Sequence, residues 1–213
     1  MIERKVLIPT VISCFSLAIS FTTFYLSHLR SAHIQIDSGE YIDIYYFTLD
    51  TLGITLQISI VNHGAQLATI RKLALLIQSP GSSEGYLLEP RWYQRIDQDG
   101  NFLYDSLPVP IAVASRQNVT KQVLFRSSLD RPKEFQLTKP GVYNMTVLGW
   151  ITDSVNPQVA DSFSIIVSDA DAELLVKRIQ EPGRTLRIRQ SQWRKWSAHY
   201  LTEIEVKTVM RGD

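Results

Sequence analysis

Cysteine is nearly absent from this chain of 213 residues: Cys14 stands alone, which excludes an intramolecular disulfide and a cysteine-based zinc site. Net charge is nearly absent as well, with 22 Lys+Arg against 21 Asp+Glu, and that balance argues against a wholly electrostatic nucleic-acid binder. No Walker loop, dinucleotide glycine fingerprint, H-x-x-x-H pair or His-Asp-Ser grouping occurs in the sequence. We therefore assign no catalytic residue, cofactor or metal ligand. No internal repeat or low-complexity linker divides the chain. What the sequence does hold is apolar content, at 45%, enough for one good core or two small domains.

Charge is also missing locally. Between Val6 and Leu29 there is no Asp, Glu, Lys or Arg, and VLIPTVISCFSLAISFTTFYL has the length of a helix that crosses a hydrocarbon core. Val6, Leu7, Ile8, Val11, Phe15, Leu17, Ile19, Phe21, Phe24 and Leu26 are the side chains expected to meet lipid, and residues 1–30 read as a transmembrane anchor with the bilayer as its partner. Pro9 falls in the first turns, where a missing N–H costs little, and the serines and threonines of the span can bond back to helix carbonyls. The apolar stretch runs on to His28, Leu29 and Arg30 without a small-x-small site, as an uncleaved signal anchor does. Val11-Ile12-Ser13-Cys14 has the form of a lipobox, but Phe15 to Leu26 lacks the polar tether that a lipidated cysteine needs. Arg4 and Lys5 precede the span and only Arg30 closely follows it, which predicts a cytoplasmic N-terminus and a periplasmic or extracellular body.

After the span the hydrophobic period changes from helical to alternating. Ile54, Leu56, Ile58 and Ile60 fall on one face of a strand and Thr55, Gln57 and Ser59 on the other. Strands are predicted over residues 41–47, 54–61, 67–78, 86–96, 117–125, 142–151 and 163–167, with an edge strand at 107–113 because of Pro108 and Pro110. These short strands, separated by turn residues and without helical crossovers, predict a mainly β body, an antiparallel sandwich over residues 31–168. Asn62-His63-Gly64 ends one strand, and Lys139-Pro140-Gly141-Val142-Tyr143 opens a late one with a tyrosine placed to return its hydroxyl to backbone.

The pairing of Ile58, Ile60, Asn62 and Gly64 with Pro140, Gly141 and Tyr143 resembles bacterial Ig-like domains of the cell-adhesion-related type. The resemblance covers residues 41–168, without the paired core cysteines of antibody domains. It implies a binding or structural module and no catalyst.

Several short motifs lack the context that their chemistry requires. Gly81-Ser82-Ser83-Glu84-Gly85 satisfies G-x-S-x-G, but Pro80 precedes it and no helix pattern follows. Asp97, Asp99, Asn101 and Asp105 gather oxygen ligands around Gly100, yet the glycine comes too early for an EF-hand, and a hairpin turn is the expectation. His63 sits in a turn, where a loop role is expected. Two Asn-x-Thr sequons, at Asn118 and Asn144, fall inside predicted strands, and Arg211-Gly212-Asp213 has no display loop around it.

The charge balance is a cancellation between two regions. Residues 30–176 carry 11 bases against 16 acids, and residues 177–213 carry nine bases against four acids. Ser168 with Asp169, Asp171 and Glu173 opens a predicted short helix that Pro182-Gly183 stops. RTLRIRQ then alternates like a strand, and Trp193, Trp196, Tyr200, Leu201 and Ile204 recur at helical spacing. Residues 169–213 thus read as a partly helical basic extension. Arg184, Arg187, Arg189, Trp193, Arg194, Lys195 and Trp196 form the candidate interaction surface, suited to anionic lipid; the predicted topology disfavours nucleic acid. The competing expectation is that these groups pack on, and pair with, the sandwich.

The sequence as a whole predicts a membrane-tethered β-sandwich that acts as a non-catalytic interaction or assembly module of the cell envelope, with an envelope protein as its partner. Two other readings stay open. One is a tethered enzyme or carbohydrate-binding domain using Trp92, Tyr93 and Trp150; the other is a cytosol-facing domain with a lipid-binding tail.

Overall fold

The protein is described from a computed structural model covering residues 4–47, 51–81, 85–98, 102–127, 136–180 and 184–194. The charge-free stretch that starts at Val6 falls in helix α1 (Arg4–Phe24), which continues as a single π-helical turn over Tyr25–Leu29. Pro9–Leu29 is long and apolar enough to cross a membrane, and none of it is buried against the rest of the chain. The turn closes where Arg30 N–H donates to the Tyr25 carbonyl at 2.9 Å.

The body is mainly antiparallel β-sheet. Its strands are β1 (Ile34–Tyr46), β2 (Leu52–Asn62), β3 (Ala68–Ile70), β4 (Lys72–Gln78), β5 (Gly85–Ile96), β6 (Phe102–Ser106), β7 (Ile111–Val113), β8 (Asn118–Arg126), β9 (Gly141–Trp150), β10 (Val159–Val167) and β11 (Leu186–Arg194); helix α2 (Asp169–Gln180) precedes the last. The large sheet runs β4-β9-β10-β11-β1-β2-β8-β5-β6, and β4 also pairs with β5, so eight strands form a closed hydrogen-bonded circuit with β6 added outside it. Two strands make the closure by crossing between layers. Glycine 85 to Leu88 of β5 pair with β4, whereas Glu89 to Gln94 pair with β8, and the register shifts between Pro90 and Trp92. Likewise Leu186 to Arg189 of β11 pair with β1, and Gln190 to Arg194 pair with β10. A bulge at each crossing supplies the extra bend that closure demands. Strands β3 and β7 form a small separate sheet.

Alternation decides which side chains face inward. Leu52, Ile54, Leu56, Ile58 and Ile60 of β2 are fully buried and meet the inward residues of the opposite layer, among them Leu75, Ile77, Met145, Val147 and Ile165. Each such burial is worth about 1.5–3 kcal/mol relative to exposure. Tyr143 is buried at the start of β9, and its hydroxyl donates to the Lys139 carbonyl at 2.8 Å. Gly141 makes that corner with φ of 142°, and a Cβ there would run into the Pro80 ring. Ser168 caps α2: Asp171 N–H donates to Ser168 Oγ at 3.1 Å, while the Ser168 hydroxyl donates back to the Asp171 carboxylate at 2.7 Å.

The structure corrects three expectations. The segment predicted as one strand over 67–78 is two, because Arg71 leaves the ladder and its N–H donates to the Trp150 carbonyl at 2.7 Å. Only Ile111–Val113 of the 107–113 edge segment is strand, the two prolines having removed the donors before it. Trp193 lies in β11 and not in a helix, since the gap between β1 and β10 offers ladder partners up to Arg194 that outweigh helical spacing. The 169–213 segment therefore contributes a strand to the body. Trp196, Tyr200, Leu201 and Ile204 lie outside the described residues.

Tyr143→Phe removes the hydroxyl bond from the buried Tyr143 ring to the Lys139 carbonyl. We expect a loss of about 1–2 kcal/mol, read as a lower denaturation midpoint with unchanged slope. An unaltered midpoint would show that the corner does not hold β9.

Candidate functional site

Helix α1 and its terminal turn carry the residues predicted to face lipid. Val11, Phe15, Leu17, Ile19, Phe21, Phe24 and Leu26 are all exposed, a degree of apolar exposure that water would not favour. Val6, Leu7 and Ile8 lie in the first turns of α1. Cys14 is exposed on the same helix.

The helix ends on a polar joint with the body. Asn62, fully buried at the end of β2, accepts from His33 N–H at 3.3 Å and Gly64 N–H at 2.9 Å. Its Nδ2 donates to the carbonyls of Gln66 at 2.7 Å and Val113 at 3.2 Å, so one amide ties the chain leaving the helix to two loops. Gly64 has no room for a side chain, because a Cβ would overlap the Ser31 carbonyl and the Ala32 Cα. Ala65 N–H donates to the Arg30 carbonyl at 3.0 Å, and the Arg116 guanidinium donates to the Leu26 carbonyl at 3.0 Å. Arg116 holds a left-handed backbone with φ of 55°, which lets its own N–H reach the Gly64 carbonyl at 3.2 Å. The Asn-x-Gly pattern was legible in the sequence as turn chemistry; its partner Arg116 carried no sequence signal.

The candidate surface at the C-terminal end divides. Arg187 forks onto Asp43, Nε to Oδ1 at 2.8 Å and a terminal nitrogen to Oδ2 at 3.0 Å, and the Asp43 carboxylate holds the guanidinium above its ordinary pKa. Arg189 pairs with Glu40. Both bonds join the basic C-terminal region to the acidic body, so these two arginines serve the sheet. Arg184 is exposed just before β11; Trp193 stands opposite Phe163 and Arg194 opposite Ser162 in the ladder. Lys195 and Trp196 lie outside the described residues.

A buried polar node marks the point where β11 changes layers. Both the backbone N–H of Ser38, at 2.7 Å, and its hydroxyl donate to one oxygen of Asp161. Gln190 donates to the Gly39 carbonyl across the β1 irregularity between Ser38 and Ile42. Burial pushes the Asp161 carboxyl above its ordinary value, although the Ser38 bonds pull the other way.

The aromatic residues weighed for ligand binding do not converge. Tyr93 is 3% exposed, its hydroxyl donates to the Val109 carbonyl at 2.9 Å, and burial pushes its pKa up to about 12. Trp150 lies under Lys72 on the other layer. Trp92 faces outward between Phe47 and Tyr104, with centroids 5.9 and 6.5 Å away in edge-to-face contact. A cavity of about 200 Å³ lies between Arg71, Lys72, Glu89, Tyr93 and Val109. Among the described residues no group of three or more His, Cys, Asp or Glu side chains could hold a metal ion. Gly81 and Gly85 flank the connection between antiparallel β4 and β5, which is not the strand-to-helix setting of a nucleophile elbow.

No family model matches the chain, and no curated protein matches it. Among solved structures, the β-glucosidase from Listeria innocua in complex with glucose is similar over 64% of this chain at 13% identity, with a TM-score of 0.29. The chain spans 16% of that enzyme's length, and a likeness of this size carries no argument about fold or activity.

Two measurements test the charged network. Arg187→Ala leaves Asp43, whose side chain is 6% exposed, without its fork, and should cost about 2 kcal/mol, the exposed guanidinium holding the figure below that of a fully buried pair. In a double-mutant cycle with Asp43→Ala the joint loss should be smaller than the sum, and strict additivity would remove the interaction. Asp161 supplies a pH test. Its folded pKa lies above the unfolded value, so its contribution is full below the unfolded pKa of 3.8 and fades as pH rises through the folded value. Asp161→Asn abolishes that titration. The natural chain should therefore gain stability relative to the variant on acidification from about pH 7 to about pH 4, and a gap independent of pH would contradict the assignment.

Proposed function

We propose that this chain is a single-pass membrane protein whose N-terminal helix holds an Ig-like β-sandwich outside the cytoplasm, where it acts as a non-catalytic interaction or assembly module of the cell envelope. The observation that carries the reading is the joint: an apolar helix of spanning length, unburied throughout, ends in direct hydrogen bonds to a β body. The bases Arg4 and Lys5 ahead of the helix support the cytoplasmic N-terminus. The Tyr143 corner supports the Ig-like resemblance, while the closed strand circuit departs from an open two-sheet sandwich. The pairing of Arg187 and Arg189 with body acids commits these two arginines of the candidate surface to the sheet.

In spheroplasts, external protease should digest residues 31–213, and alkaline carbonate should leave the chain in the membrane pellet. Release into the supernatant would remove the span, and a body that survives while a periplasmic control is cut would reverse the orientation. A chain ending at Arg194 keeps every described strand. Affinity capture from detergent-solubilised membranes should lose its envelope partner on this truncation; an unchanged partner would move the contact to the body.

A further inference from the structure

The joint fixes more than attachment. Pro9–Leu29 rises about 30 Å as a helix, the thickness of a hydrocarbon core, so its last carbonyls reach the boundary with the headgroups. A group bonded to the Leu26 carbonyl lies at that boundary too, and that group is the guanidinium of Arg116. The surrounding segments, residues 26–36, 62–67 and 114–118, contain Arg30, Arg116, His28, His33 and His63 and no Asp or Glu, although the body as a whole is acidic. Leu67, beside them, is 64% exposed.

Strand order brings a second cationic segment to the same end. In the ladder with β1, Leu186 stands opposite Ile44 and Arg189 opposite Tyr41, so β11 runs toward the end from which β1 emerges after α1. Its final residues Trp193 and Arg194 precede Lys195 and Trp196 in sequence. Arginine and tryptophan together are the pair of residue types that interfaces favour, the one for phosphate and the other for the headgroup boundary.

We infer that the helix-proximal end of the body, built from residues 62–67 and 114–117 and the end toward which β11 runs, lies within the headgroup layer of the bilayer, where Arg116 and Arg30 bind anionic phospholipid headgroups. This rests on α1 being a membrane span. The body is then seated on the membrane and not suspended from it. Each arginine near an anionic leaflet adds attraction, so the seating should depend on lipid charge.

The test uses the full chain in a Cys14→Ser background, carrying a fluorophore at Leu67→Cys or, at the opposite end, at Leu174→Cys on α2. Vesicles of phosphatidylcholine, with or without phosphatidylglycerol, carry a headgroup nitroxide quencher. The label at 67 should be quenched several-fold more than that at 174, phosphatidylglycerol should widen the difference, and Arg30→Gln with Arg116→Gln should abolish the widening while the protein still floats with vesicles. Equal quenching at both sites in floating protein overturns the inference alone, as does a lipid-charge effect that survives the double substitution. Shielding of residue 67 in native membranes but not in lipid-only vesicles assigns that end to a protein and also overturns it. Protein that fails to float overturns the span, and the seating with it.

Discussion

A helix that ends against a folded body leaves its last carbonyls with no helical partner, and the joint between helix α1 and the sheet is arranged around satisfying them. The body itself does the capping: Arg116 reaches back to Leu26, and Ala65 N–H takes the Arg30 carbonyl just beyond. For both groups to arrive, two loops that are distant in sequence must be held at fixed positions. Asn62 does this by spending donors and acceptors on His33, Gly64, Gln66 and Val113 at once. The absence of a Cβ at Gly64 then allows the chain leaving the helix to pass within contact of the loop.

Closure of the strand circuit solves a second problem, that of sheet edges. Open edges would leave rows of unpaired backbone groups, and here β5 and β11 bend across the gap between layers so that the eight-stranded circuit closes, with β6 left outside it. The bends carry costs. One is the irregularity at Pro90–Trp92, and another is the enclosed set of Ser38, Asp161 and Gln190, where a carboxyl sits in a buried place because two donors meet it there. Arg187 and Arg189 fasten β11 from outside, so the opposite charges of the acidic body and the basic C-terminal region become contacts within one sheet.

Sequence pattern foretold the parts that depend on local chemistry. The charge-free run of residues 6–29, the alternation of Ile54 to Ile60, the Ser168 cap and the Tyr143 corner were legible because each is set by a few neighbouring residues. The closed order of the strands was not, since nothing in RTLRIRQ says which strands it will lie between; a period of two states that a strand exists and not where it pairs. The same gap explains Trp193, whose helical spacing with Trp196 was real but weaker than the ladder offered by β1 and β10. Tyr93 reads as exposed aromatic in sequence and is core in space, because the β5 irregularity sends it inward while Trp92 faces out. Of the joint, Asn62 and Gly64 announced a turn; Arg116 was one base among 22.

The place of β11 in the sheet bears on how the molecule is made. Asp43 and Arg187 are partners separated by 144 residues, and the side of β1 that faces β11 stays unpaired until the C-terminal part of the chain has been synthesised. Strand β1 follows the helix directly, so it emerges early and waits through the making of the nine described strands that lie between it and β11. Contacts of such range slow folding and prolong the exposure of an edge able to recruit other chains. Biogenesis is thus the period in which this protein is most open to the wrong partner, and a chaperone that covers an apolar strand would serve it most in that interval.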